Sequence, residues 1–377
     1  MPPRRRPMAP RRPASAVAAL VPLAAAAAIA ATGPGGAAAA DAAPAVVASI
    51  RPIHSLVAGV MAGVGEPRLL VRGGGSPHTY QMRPSEARML DGADVVFYVG
   101  EGLETFLDRP LRSLGGDARI VALMAAEGVE LLPYREGDAF EAHPHDHDGG
   151  HGREEADDHE GHAKAHAADE HDHDGHGHEA AEHGHEAGEH GHEAGEHGHD
   201  HAHGGMDAHV WLDPANAGAI VRAVAAELAE LDPANRAAYE ANAGRVLARL
   251  DALDLELRDR LEPVRGVPFM VFHDAYQYLE RRYGLNAVGS VTPGPERQPG
   301  AQHLREVRAR IQELGARCVF SEPQFEPRLV ATVIEGTDAR AGVLDPEGGA
   351  TEPGPDAYFD LMRANADALV GCLSHES

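Results

Sequence analysis

Val95-Val96-Phe97-Tyr98-Val99-Gly100 decides the fold class of this chain. Five apolar residues in a row, β-branched or aromatic and without polar alternation, describe a strand buried on both faces, which the glycine closes. Leu103 to Leu114 then reads as a helix and Ile120-Val121-Ala122-Leu123 as the next strand. Upstream the rhythm is the same. Ala45 to Ile50 is strand-like, Ile53 to Met61 helical, and Arg68-Leu69-Leu70-Val71 a strand running into Gly73-Gly74-Gly75. Pro84, at a first-turn position, opens a helix to about Leu90. Strands and helices alternating at this spacing predict βα units, hence a mostly parallel sheet covered on both faces.

The rhythm resumes in the second half. A helix runs from Pro214 to about Leu231, and Asp232-Pro233 starts a longer one through about Leu261. Its apolar positions Val246, Leu250, Leu253 and Leu257 step by four, three and four, the pattern of one buried face. At roughly 1.5 Å per residue that helix is about 40 Å long, enough to cross two lobes. Strands follow at Pro268 to Phe272, Ala287 to Gly289, Arg317 to Phe320 and Gly342 to Asp345. Helices are expected at His273 to Tyr283, Gly300 to Leu314, Pro327 to Glu335 and Pro355 to Leu373. The economical architecture is α/β: a lobe at 44–230, a linking helix at 231–262 and a second lobe at 263–377.

One stretch breaks the pattern. Between His143 and His203 lie 19 of the 25 histidines, together with 18 carboxylates set against only Arg153 and Lys164. A unit recurs, Glu182-His-Gly-His-Glu-Ala-Gly188, then Glu189 to Gly195. Almost nothing here is apolar and larger than alanine, so residues 143–205 are expected to form a disordered surface insertion. Loop-closure entropy grows slowly with length, so the lobe tolerates it. Polar linkers draw on Ser, Glu, Lys and Pro; histidine at this density points to metal contact. His143, His145, His147, His171, His173, His197, His199, His201 and His203 are the candidate weak ligands of this tract.

Charge and the chain's two ends bound the rest. The tract carries −16 of the formal net charge of −26, and nothing resembles a basic nucleic-acid footprint. Residues 1–43 read as an export signal: Arg4, Arg5, Arg6, Arg11 and Arg12, an apolar run from Ala16 to Ala31, then small-residue cleavage sites. The run is too short and alanine-rich for stable membrane insertion. Export implies an oxidising compartment, the periplasm where the envelope has two membranes. There the two cysteines, Cys318 and Cys372, most simply form one disulfide.

Three histidines outside the tract share a context. His78 follows the strand at 68–71 and its glycines, His209 precedes Val210-Trp211-Leu212, and His273 directly follows the strand at 268–272. Ligands of open α/β sheets collect at the carboxyl ends of strands, which places His78 and His273 at the rim of each lobe. Asp345 closes the last strand in the same way. Three imidazoles and one carboxylate make a tetrahedral site suited to Zn²⁺, whereas manganese prefers more oxygen ligands. His54, Tyr80 and Asp274 are candidates for outer partners that orient the ligating rings.

With these residues in hand, the chain resembles the cluster A-I metal-binding subunits of ABC importers, and among them the high-affinity zinc-uptake solute-binding proteins. The matching pieces are His78-Thr79-Tyr80 with Arg83-Pro84-Ser85, and His209-Val-Trp-Leu-Asp-Pro214. They continue as Val271-Phe-His-Asp-Ala-Tyr276, Gln298-Pro-Gly-Ala-Gln302, Cys318-Val-Phe-Ser-Glu-Pro-Gln-Phe325 and Leu344-Asp-Pro346. The resemblance implies two Rossmann-like lobes, an interlobe zinc site from His78, His209 and His273, a disulfide between Cys318 and Cys372, and an acidic histidine-rich loop. It also implies delivery to a membrane permease, with a periplasmic zinc chaperone as a further partner and the chain itself a monomer. One departure is Pro77, where zinc-specific members often carry Glu, so the fourth ligand is expected to be Asp345 or water. A permease-independent zinc buffer, a manganese importer subunit and a zinc hydrolase are the rival readings. No HExxH or nucleophile elbow accompanies the histidines, so no enzyme is expected.

Overall fold

The computed structural model describes residues 43–113, 118–135, 140, 205–292, 294, 299–326 and 328–374. The nine histidines named in the tract, the export signal through residue 42 and Gln298 lie outside the described residues. Ala43–Ser377 forms one compact unit built on two four-stranded, wholly parallel sheets. Among the described residues no helix is long and apolar enough to cross a membrane.

The first lobe runs β1 (Val46–Ala48), α1 (Arg51–Val60), β2 (Arg68–Leu69), α2 (Pro84–Asp91), β3 (Val95–Tyr98), α3 (Asp108–Ser113) and β4 (Arg119–Ala122). Its strand order is β2-β1-β3-β4, so the chain reverses direction across the sheet between β1 and β3. The second lobe runs β5 (Pro268–Val271), α6 (Gln277–Tyr283), β6 (Asn286–Ser290), α7 (Ala301–Glu313), β7 (Cys318–Ser321), α8 (Arg328–Ile334), β8 (Arg340–Val343) and α9 (Ala357–Leu373). Its order, β6-β5-β7-β8, repeats the first and reverses between β5 and β7. Such switch points open a crevice beyond the strands' carboxyl ends.

Between the lobes lie α4 (Pro214–Leu231) and α5 (Arg236–Leu261). Asp213 caps α4 by accepting from Ala215 N–H at 2.7 Å, with proline at the first helical position. α5 buries Val246, Leu250, Leu253 and Leu257, the predicted stripe, extended by Tyr239, Ala243 and Leu261. Its buried face belongs to one apolar cluster that takes in α1, α4 and α9, so the core is continuous across both lobes. Three polar ties reinforce it. Arg51 Nη1 donates to the carbonyls of Gly348, Gly349 and Thr351. Trp211 Nε1 donates to Pro346 O at 2.8 Å, and Tyr358 donates to Trp211 O at 2.9 Å. Cys318 and Cys372 form a disulfide fastening β7 to α9.

Three elements differ from the sequence reading, each for a local reason. Leu103 to Leu114 is not one helix: a turn of 3-10 helix at Thr105–Leu107 leads into the short α3. There Glu104 folds back, accepting from Val99 N–H, Gly100 N–H and the Ser49 hydroxyl, which holds the chain in a turn. α6 starts at Gln277 rather than His273, because His273 N–H reaches toward the Glu322 carboxylate. β8 ends at Val343, so Asp345 stands in the following turn rather than at the strand's end.

Candidate metal centre

Three loops deliver three imidazoles to the crevice between the lobes. After β2 the chain turns through Gly73 and Gly74, both at positive φ, before reaching His78. A side chain at either position would be strained there. His209 is fixed by its position just before the 3-10 turn Val210–Leu212, where Trp211 is fully buried and its ring lies 5.4 Å from that of His209. His273 leaves the end of β5 at the second lobe's switch point.

The Nε2 atoms converge. His78 and His273 each bring Nε2 to 3.3 Å from His209 Nε2, and the three ligand atoms lie within 4.8 Å of one another. Two of the rings also donate on their far side. His209 Nδ1 is 2.7 Å from Asp207 Oδ1, and His273 Nδ1 is 2.8 Å from Glu322 Oε1. A carboxylate there accepts the Nδ1 proton, leaving the lone pair on Nε2. Lone pairs facing one another at such range repel unless a cation sits among them. Nitrogens bound at about 2.0–2.1 Å around a tetrahedral ion stand roughly 3.3–3.4 Å apart, and two of the three pairs already have that spacing.

Charge supports the same use at two of the three rings. Burial, then the neighbouring His209 and His273, holds His78 well below the usual imidazole range. Burial and His273 do the same to His209. Burial also lowers His273, but the charge and hydrogen bond of Glu322 outweigh it, so its pKa ends above the ordinary value. Burial pushes the Asp207 carboxyl up to about 7, against the hydrogen bond from His209 N–H and the charge of Arg135.

None of Asp345, His54, Tyr80 and Asp274 hydrogen-bonds to one of the three imidazoles, although the charge of Asp274 reaches His209 and His273. Asp345 is outside the group. Its Oδ1 accepts from Gln324 Nε2 at 2.9 Å, Gly348 N–H at 2.9 Å and Glu347 N–H at 3.1 Å, so its work is to shape a turn. His54 Nε2 lies 3.0 Å from Pro67 O. Tyr80 donates to Glu86 Oε1 at 2.8 Å and stacks edge-on against Phe106. Asp274 is ion-paired with Arg135. The carboxylates that hydrogen-bond the rings are Asp207 and Glu322, which the sequence reading did not name. Asp207 stands two residues before His209, and Glu322 directly follows the buried strand β7; both positions were visible signals.

Comparison with known proteins adds to this geometry. Residues 46–372 match the family model described as ZnuA, zinc-uptake complex component A, periplasmic. A high-affinity zinc uptake system protein ZnuA of Brucella suis is 46% identical over 329 residues, covering 87% of this chain and 91% of that protein. Among solved structures, a crystal structure of ZnuA aligns with a TM-score of 0.62 at 21% identity, over 88% of this chain and 100% of the other. The solute-binding protein FpvC of Pseudomonas aeruginosa, in complex with Mn²⁺, aligns at 0.64 and 21% identity, over 88% and 98%. At that identity the structural likeness speaks for the fold.

Proposed function

This chain belongs to the ZnuA family of periplasmic zinc-uptake components, and from that membership we propose that it captures Zn²⁺ as cargo on His78, His209 and His273 and hands it to the membrane permease of an ABC importer. The convergence of three Nε2 atoms at tetrahedral spacing carries the reading. An all-nitrogen set favours zinc over manganese, which prefers oxygen ligands. With Asp345 engaged in its own turn, a water completes the tetrahedron. The exported, mature chain works in the periplasm as a monomer.

Residues 143–203 act as a collector. Clustered imidazoles and carboxylates bind zinc weakly, exchange it quickly, and raise its local concentration near the crevice. A periplasmic zinc chaperone is a further donor in this scheme.

Isothermal titration of the full chain beside a 143–203 deletion tests the division of labour. One tight site should survive in the deletion while the weak sites vanish, and His209→Ala in the deletion background should abolish the tight one. Loss of the tight site on deleting 143–203 alone would refute the assignment.

A further inference from the structure

The roots of the insertion are fastened to the loops that carry the metal-site histidines. Leu132 to Tyr134 pairs antiparallel with Gly205 to Asp207, with Tyr134 N–H donating to Gly205 O at 2.9 Å and Asp207 N–H to Leu132 O at 2.8 Å. Tyr278 of α6 puts its hydroxyl between the two strands, accepting from Leu132 N–H at 3.0 Å and donating to Asp207 O at 2.7 Å. Asp207 is the residue whose carboxylate orients His209.

One step further out stands Arg135. Its Nε donates to Asp274 Oδ2 at 3.0 Å and its Nη2 to Asp274 Oδ1; Nη1 and Nη2 reach the two oxygens of Glu280 at 3.0 and 2.9 Å. The Phe140 ring covers the guanidinium at 3.8 Å. Asp274 and Glu280 side chains are only 14% and 8% exposed. Asp274 directly follows His273, and Glu280 also accepts from Ala287 N–H at the start of β6. Arg135 therefore joins the foot of the insertion to the backbone step beside one zinc ligand, while Tyr278 joins both feet beside the partner of another.

Attraction alone would be served by a lysine. Four N–H bonds in one plane, shared between two carboxylates, require a guanidinium. Yet Arg135 touches none of the three imidazoles, and beyond its charge, which favours an ionised Asp207, the capture described above gives its fork no use. We propose that Arg135 is a positioning residue of the metal centre: by locking the insertion's foot to Asp274 and Glu280 it holds His273 in register with His209, and so sets the rate at which bound metal leaves. The inference rests on the reading of the three histidines as the zinc site.

The test uses the full chain carrying one equivalent of zinc, and follows release to a chelator. A parallel sample loaded with Co²⁺ reports ligand geometry through its visible absorption. Arg135→Lys should release zinc about tenfold faster, the low end for an outer partner of a metal ligand, and should shift the Co²⁺ bands. Tyr278→Phe should act in the same direction; each metal-free variant should also melt lower, since one weakens a buried ion-pair network and the other leaves Leu132 N–H and Asp207 O without the hydroxyl. Wild-type release and an unshifted spectrum in folded Arg135→Lys would overturn the proposal, because a purely structural role moves only the melting temperature. Should Arg135→Lys fail to fold, the triple variant Arg135→Met, Asp274→Asn, Glu280→Gln leaves no buried unpaired charge and is judged by the same two readouts. A wild-type chain with no slowly released zinc would instead sink the three-histidine reading, and this inference with it.

Discussion

His209 shows how much of the centre is decided at single side chains. It is nearly fully buried, it faces both other imidazoles, and its Nδ1 proton has a carboxylate to go to. Asp207→Asn and Glu322→Gln should each weaken zinc binding by about 10- to 100-fold, read by chelator competition, because each frees a ring to rotate or change tautomer. Asp345→Asn should leave affinity within a few-fold of wild type and lower stability instead, since the carboxylate holds the Glu347 and Gly348 amides. Glu104 makes a separate prediction about pH. Burial raises its carboxyl to about 7, above the ordinary 4.5, despite donors from Gly100, Ser49 and Val99. Below pH 4.5 both folded and unfolded chains are protonated and nothing is lost. Between 4.5 and 7 the unfolded chain ionises first, so stability falls, by roughly 3 kcal/mol in all, and then levels off. Denaturant titration of Glu104→Gln beside wild type should show a gap that moves in the variant's favour by about that amount between pH 4.5 and 8; a gap constant with pH would contradict it.

Among the elements, periodicity was legible where burial is regular. The stripe on α5 lies where Val246, Leu250, Leu253 and Leu257 put it, and Leu253→Ala should cost roughly 2–5 kcal/mol by calorimetry or denaturant unfolding. The buried strands β3, β5 and β7 were equally readable as apolar runs. What periodicity does not carry is the contact that stops an element. The segment after Gly100 has helical composition, but the Glu104 carboxylate turns back onto β3. His273 and Asp274 suit a helix start, yet Glu322 and Arg135 claim their polar groups. Both outcomes depend on partners far off in sequence, so no local window contains them. The same holds for the site: strand-end histidines could be picked singly, whereas Glu322 meets His273 only because β5 and β7 are neighbours.

At the scale of the molecule, two sheets of the same strand order send loops from both lobes to one cluster of three imidazoles, and one apolar cluster runs through both lobes. That continuity opposes opening at a hinge, since parting the lobes would expose the buried faces of α1, α5 and α9. Acidification should separate the tract from the centre. A solvated imidazole ordinarily protonates at about pH 6.5. His78 is held well below it by burial and by His209 and His273, and His209 by burial and His273, whereas Glu322 raises His273; the centre keeps its ion to lower pH because three converging rings hold it at once. Stepwise acid titration of zinc-loaded full chain should empty the weak sites first and the tight one later, and the early step should be missing from the 143–203 deletion. The central claim is most directly met by anomalous diffraction at the zinc edge from crystals of the deletion loaded with one equivalent of metal. The account predicts one peak about 2.0–2.1 Å from Nε2 of His78, His209 and His273 alike. A zinc peak bound elsewhere, with those three nitrogens uncoordinated, would contradict it.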